Sequence, residues 1–342
     1  MNPRRMPFLA PIEQDLQRVR ALVREQVAGA EGSIRWLVQY SAPDGGKLLR
    51  PTLLLLSAGA VGSIGPEHLR VATALELIHN ATLLHDDVLD HGRIRRGLPT
   101  VNRRWGNRAA IRLGDLLLAR VFEMNASFAP STRAMLGRMI RRTCEGEIHQ
   151  TVSCGRFALA ESQYLAIVGR KTAALFRGAC YLGARLAAAP DRACRAVGRF
   201  GYGLGMAYQI MDDLLDLVGD GRTLRKTLGT DLRNAKLTLP LIHALRVLPE
   251  PRRSALLPAL QQRRLTRAEL LDLLAASGSL DYVLARLGRH ADRATAALAE
   301  IRPTPMKAAL LEMPRGIVRE AVEQSRRAWK RSFCETRMAA RG

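Results

Sequence analysis

The sequence is poor in aromatic residues, which make up 5% of its 342 residues, and it shows no strand-like alternation of any length. Strands draw on aromatic and β-branched side chains, so a β fold is disfavoured. Ala, Leu and Arg dominate instead, which predicts an all-α protein. Cysteine is also scarce: Cys144, Cys154, Cys180, Cys194 and Cys334 are scattered, odd in number and form no C-x-x-C pair. A thiolate metal site is therefore not expected, and a reducing, cytoplasmic setting is. No apolar run is long enough to span a bilayer, and Pro3, Pro7 and Pro11 break up the opening segment, so no signal peptide is expected. Acid is short relative to base, 31 Asp and Glu against 53 Lys and Arg, for a net charge of +22. That excess admits nucleic-acid binding, contact with an anionic membrane surface, or a general bias towards arginine. The arginines are spread along the chain rather than gathered in one block, which favours the last.

What is present is organised around Leu75 to Asp90, LELIHNATLLHDDVLD. Leu75, Leu77, Ile78, Leu83, Leu84, Val88 and Leu89 recur at spacings that suit a buried helix. Asp86 and Asp90 lie one turn apart on a face that His79 nearly shares. A core helix does not normally carry Asp86, Asp87 and Asp90 together, because buried unpaired carboxylates are costly and neighbours repel. Hard divalent metal is the natural counter-charge, and carboxylate oxygens suit Mg²⁺. Alone, the cluster is equally compatible with a solvated face. A second copy decides: Tyr208 to Asp216, YQIMDDLLD, again sets Asp212, Asp213 and Asp216 in an apolar helical run, with Gln209 one turn before Asp213.

The pattern predicts helices over 11–29, 33–40, 52–61 and about 66–90. Further helices are expected over 108–128, 131–152, 161–187, 191–218, 237–247, 251–262, 266–276, 279–301, 305–311 and 314–333. The stretches 41–47, 91–106 and 220–235 read as loops by their turn chemistry. One helical domain over 1–342 is expected, with a basic tail at 326–342. Cations gather near both acid clusters. Gly45-Gly46-Lys47-x-x-Arg50-Pro51 sets Lys47 and Arg50 at a loop-to-helix junction with free backbone N–H groups, a phosphate-type site or a solvated helix cap. Arg95 and Arg96 follow Asp90 by one short loop. Lys171-Thr172 falls within a long helix, and Lys226 and Lys236 bracket the loop after the second cluster. Acids and bases in such numbers around one presumed cavity suit a diphosphate, better two, and the aliphatic walls between suit a greasy remainder.

These segments resemble the trans-isoprenyl diphosphate synthases, the polyprenyl synthetase family. The matching stretches are GGKLLRP at 45–51, ELIHNATLLHDDVLD at 76–90, RRGLPTVN at 95–102 and GEIHQ at 146–150. GRKTAALF at 169–176, GYGLGMAYQIMDDLLDLVGD at 201–220 and KTLGTDLRNAKLTLPLIHAL at 226–245 follow, all in family order. The resemblance implies a single bundle of antiparallel helices around a deep central cavity, usually a homodimer. It implies that Lys47, Arg50, His79 and Arg96 hold isopentenyl diphosphate. Arg95, Lys171, Thr172, Gln209, Lys226 and Lys236 would hold the allylic diphosphate. Asp86, Asp90 and Asp212 would be the main Mg²⁺ ligands, with Asp216, Asp87 and Asp213 binding the metal directly or from just behind those ligands. The resemblance also implies about three Mg²⁺ ions per active site once substrate is bound. The Asp residues with Lys171 and Lys226 would drive departure of diphosphate, which itself serves as the base.

In short-chain members bulky aromatics cap the tunnel just before the first acid cluster. Ala81 and Thr82 are small here, so the expected product is all-trans and of geranylgeranyl length or more, as for a quinone side-chain precursor. A large residue deeper down, Phe122, Met124 or Met139, would be the stop. Leu48 stands where the family often has Arg, and Arg225 where Gly is common. The tail at 326–342, with Trp329 and Phe333, either meets anionic lipid or is simply solvated, the second reading being favoured. A class I terpene cyclase should lack the Lys47, Arg50 and His79 set. A non-catalytic synthase subunit would not need both acid clusters. Nucleic-acid binding leaves the buried acid unexplained.

Overall fold

The computed structural model describes residues 7–29, 32–41, 46–219, 227–262 and 264–339, apart from the side chains at 7, 8, 267 and 328–339. Lys226 and the side chains of Trp329 and Phe333 lie outside the described residues. After a short 3₁₀ turn, α1 (Glu13–Ala28) and α2 (Arg35–Ser41) lead into α3 (Leu49–Val61) and α4 (Pro66–Leu89). Leu16, Val19, Val23 and Val27 of α1 are buried at helical spacing, so one apolar stripe seats it. Leu53, Leu54, Leu55 and Leu56 of α3 are all fully buried, as expected of a helix packed on every side. α4 starts at Pro66, which lacks the N–H that a first helical turn cannot use. Its His68 ring accepts the Gly65 N–H at 3.0 Å and reaches the Gly183 carbonyl at 3.1 Å.

Past α4 the expected loop contains a small hairpin, β1 (Ile94–Arg95) and β2 (Leu98–Pro99), paired antiparallel, and then α5 (Val101–Trp105). Its turn residues Arg96 and Gly97 have φ of 54° and 80°, the left-handed pair that a tight two-residue hairpin turn needs. Strands of two residues are too short to leave an alternation in the sequence. The bundle continues with α6 (Asn107–Ala126), α7 (Pro130–Ser153), α8 (Glu161–Val168), α9 (Ala174–Leu186) and α10 (Asp191–Val218).

α8 and α9 were expected as one helix, and a π-helical turn over Gly169–Ala173 interrupts them. Such bulges recur at functional sites, and this one carries Lys171 and Thr172. Two glycines pinch it: a Cβ on Gly146 of α7 would lie 2.4 Å from the Lys171 nitrogen, and one on Gly205 of α10 would lie 2.7 Å from the Ala173 Cα. The last described helix, Pro305–Ala339, runs through Pro314, where a break was expected. Met313, Ile317 and Ala321 are buried on its packed face, which compensates for the hydrogen bond Pro314 cannot make. One hydrophobic cluster extends from Leu9 to Ala321. Among the described residues no helix is long and apolar enough to cross a membrane. The all-α bundle is as expected.

Candidate active site

The two acid clusters close α4 and α10 and face a common set of cations. On α4, Asp87 is buried and Arg95 grips it from the hairpin, with Nε 2.9 Å from both carboxylate oxygens and Nη2 2.8 Å from Oδ1. Burial pushes the Asp87 carboxyl up, and Arg95 pulls against that shift. Asn102 fixes the backbone here, its amide donating to the Asp87 carbonyl at 2.9 Å. Asp90 accepts Lys236 Nζ at 2.5 Å, and Asn234 Nδ2 lies 3.4 Å away. Asp86 is half-buried and accepts no hydrogen bond among the described residues.

On α10 the partners differ. Asp213 is buried and accepts the Tyr164 hydroxyl at 2.6 Å and Gln209 Nε2 at 2.7 Å. The Thr172 hydroxyl donates to Gln209 Oε1 at 2.6 Å, so the π turn orients the amide that orients Asp213. Burial raises the Asp213 carboxyl to about 6; Tyr164 and Gln209 oppose the shift and Asp212 adds to it. Asp216 accepts the Asp231 N–H at 3.0 Å and the Thr230 hydroxyl at 3.3 Å, which ties a short helical turn, Thr230–Arg233, to α10.

The cations link the two walls. Burial works against the charge on Arg95, but Asp87, then Asp86 and Asp212, outweigh it and raise its pKa. Burial likewise opposes Lys171, and Asp86, Glu147 and Asp90 more than restore it. Lys171 Nζ is held 2.9 Å from Glu147 and 2.7 Å from Gln150. Both belong to GEIHQ on α7, yet neither was expected as a site residue. Polar groups on one helix do not reveal in sequence that a lysine on another will reach them.

At the α3 end lies a second group. Arg50 Nε, His79 Nδ1 and Glu76 Oε2 are buried without hydrogen-bond partners among the described residues. Native proteins leave few such atoms unsatisfied. Burial lowers the Arg50 pKa, with Glu76 acting the other way. The Arg50 guanidinium stands 5.4 Å from the Phe176 ring centre. Burial, and then the fields of Arg50, Arg96 and Arg95, hold His79 well below its usual range, so it is neutral. Lys47 is exposed and follows Gly46, whose backbone packs against Glu76 and Arg96. Lys47, Arg50, His79 and Arg96 thus come to one end, while Asp86, Asp87, Asp90, Arg95, Lys171, Thr172, Gln209, Asp212, Asp213, Asp216 and Lys236 line the two walls.

The model of the polyprenyl synthetase family matches residues 32–276. The chain belongs to that family. It is 34% identical to the octaprenyl diphosphate synthase of Escherichia coli over 92% of this chain and 97% of the relative. It is 39% identical to the heptaprenyl diphosphate synthase component 2 of Geobacillus stearothermophilus over 69% of this chain and 72% of the relative. Among solved structures it superposes on a polyprenyl synthase of Caulobacter crescentus, complexed with calcium and isoprenyl diphosphate. That likeness has a TM-score of 0.86 and 34% identity, covering 91% of this chain and 96% of the other. Like the rest of the polyprenyl synthetase family, the chain is a prenyltransferase that builds polyprenyl diphosphates.

The donor set also suits the divalent metal use of this family. The side chains are hard carboxylates, and the described thiols are scattered and free. No three His, Cys, Asp or Glu side chains meet at one point among the described residues. Asp86, Asp90 and Asp212 are the carboxylates that would hold such an ion, and Mg²⁺ commonly fills the rest of its shell with water and phosphate oxygens. Of the residues considered for the product end, Ala81 is fully buried and Thr82 turns its hydroxyl to the His79 carbonyl at 2.8 Å. Met139 is buried against Gly178. Phe122 is 65% exposed: it lies on the outer face of α6, so within this chain it cannot be the stop that the sequence suggested.

Proposed function

We propose that this prenyltransferase condenses isopentenyl diphosphate head-to-tail with an allylic diphosphate in a Mg²⁺-dependent reaction. The observation that carries the reading is the meeting of cations with the acid clusters: Arg95 holds Asp87 at 2.8–2.9 Å, Lys236 meets Asp90 at 2.5 Å, and Lys171 is held on Glu147 at 2.9 Å. Opposed carboxylates with cations between them suit a metal-bridged polyanion. Asp86, Asp90 and Asp212 would hold the metal, which would supply charge neutralisation for the departing diphosphate. Arg95, Lys171 and Lys236 hold the allylic diphosphate and receive its growing charge as the C–O bond ionises. Thr172 and Gln209 keep Asp213 and the neighbouring wall in place. Lys47, Arg50, His79 and Arg96 hold isopentenyl diphosphate so that its double bond faces the allylic carbon. The released diphosphate takes the proton, and water exclusion protects the cation.

The unpartnered Arg50 Nε and His79 Nδ1 support a second anion site, which a terpene cyclase working on one allylic substrate does not need. Incubation of the pure protein with Mg²⁺, labelled isopentenyl diphosphate and a set of allylic primers tests the reading. Elongation with a primer supports it; turnover of the primer alone would favour the cyclase.

The product we propose is all-trans and of geranylgeranyl length or longer, because Ala81 leaves room where an aromatic would end the tunnel. Ala81→Phe should shorten the product, and an unchanged chain length would refute the tunnel wall. We further propose a cytoplasmic homodimer, supported by free thiols and by exposed Ile111, Phe122, Ile148 and Val152 on α6 and α7. Light scattering of the pure chain tests the homodimer: twice the chain mass supports it and a monomer contradicts it.

A further inference from the structure

Glu76 is an acid in the wrong place. It lies on α4 one turn before His79, is 2% exposed, and sits inside the group of cations proposed above to bind a diphosphate. A Cβ added to Gly46 would be 3.2 Å from Glu76 Oε1 and 3.3 Å from both terminal nitrogens of Arg96. The carboxyl and the guanidinium therefore flank the same small backbone gap. Glu76 Oε2 has no hydrogen-bond partner among the described residues, and neither do Arg50 Nε nor His79 Nδ1. A buried carboxylate with one oxygen left without a hydrogen bond among the described residues is poorly compensated, and a diphosphate arriving at the nearby arginines would repel it.

We propose that Glu76 is a positioning residue of the isopentenyl diphosphate site that balances Arg50 and Arg96 while the site is empty and takes up a proton when the diphosphate replaces it. The inference rests on the reading of that site given above. The charged and titratable groups facing Glu76 come from every side. They are Arg50 on α3, Arg96 on the hairpin and Arg20 on α1, with neutral His79 on its own helix and Tyr208 on α10 acting on the arginines. Burial already pushes the Glu76 carboxyl up, and Arg96, Arg50 and Arg20 are what hold it down. A bound diphosphate cancels that restraint, so the proton comes from solvent to one carboxylate oxygen and no other bond changes. By linkage, each proton taken up weakens binding as pH rises, by up to about tenfold per pH unit between the free and bound pKa values.

The test is calorimetric titration of the full chain with isopentenyl diphosphate alone, without primer or metal, in buffers of different ionisation enthalpy. The diphosphate's own protonation contributes to both proteins, so wild type is compared with Glu76→Gln. Wild type should take up more protons than the variant, by up to about one, and its dissociation constant should rise more steeply with pH. At high pH the variant, fixed in the neutral form, should bind more tightly than wild type. Difference infrared spectra of wild type should gain a protonated-carboxyl band on binding, a readout that needs no variant. Equal proton uptake with weaker binding at every pH would mean that Glu76 is merely structural and would overturn the proposal. Failure of wild type to bind isopentenyl diphosphate at all would overturn the site itself and the proposal with it.

Discussion

The two acid clusters carry the same residues at the same spacing but solve their charge problem differently. On α4 the acids beside Asp86 are balanced by cations: Arg95 grips Asp87 at 2.8–2.9 Å and Lys236 meets Asp90 at 2.5 Å. On α10 the neutral donors Tyr164 and Gln209 hold Asp213, and the Thr230 hydroxyl and the Asp231 backbone N–H are among the donors to Asp216. Neutral hydrogen bonds orient a carboxylate without cancelling its charge. Asp213 rises to about 6, chiefly because it is buried, and its neighbour Asp212 adds to the shift. The near-identity of DDVLD and DDLLD hides this, because the difference lies in what other segments bring to each motif.

The largest effect should come from the residues the walls share in function. Asp86→Ala and Asp212→Ala should each lower the elongation rate by about 10³-fold or more while leaving the fold intact, measured with labelled isopentenyl diphosphate. The contrast between walls is sharpened by removing one partner from each. Arg95→Gln leaves buried Asp87 without its cation and should cost about 2–3 kcal/mol in denaturant unfolding. Tyr164→Phe removes one neutral donor from Asp213 and should cost about 1 kcal/mol. Equal costs would erase the distinction. The smallest effect should be seen in thermal unfolding without substrate. Mg²⁺ should raise wild-type stability by roughly 1–2 kcal/mol. Asp86→Asn and Asp212→Asn should each lose most of that gain, and a loss at one wall only would break the comparison.

Much of the site was legible because its residues sit in local patterns. Asp86, Asp87 and Asp90 with His79, and Asp212, Asp213 and Asp216 with Gln209, lie within single helices, where spacing gives direction. What was not legible depends on contacts between segments distant in the chain. Glu147 and Gln150 matter because the π turn delivers Lys171 to them. Glu76 matters because α1, α3 and the hairpin surround it with arginine. Tyr164 reads as an ordinary half-polar helix residue until its hydroxyl is seen on Asp213. The hairpin at 94–99 escaped because its turn uses Arg96 in a left-handed conformation, for which arginine carries no preference, leaving Gly97 as the only cue. Pro314 misled in the other direction, since packing of Met313 and Ile317 overrides a local breaker. Phe122 was sized correctly as a bulky residue, but size says nothing about which way a helix face turns.

The central claim is that opposed aspartate walls hold metal against a shared diphosphate. A crystal structure with an unreactive thiolo analogue of the allylic diphosphate and Mn²⁺ in place of Mg²⁺, the ions located by anomalous scattering, tests it most directly. The account predicts metal joining the diphosphate to Asp86 on α4 and to Asp212 on α10. Metal confined to one wall, or a diphosphate bound by lysine and arginine with no metal at all, would contradict it.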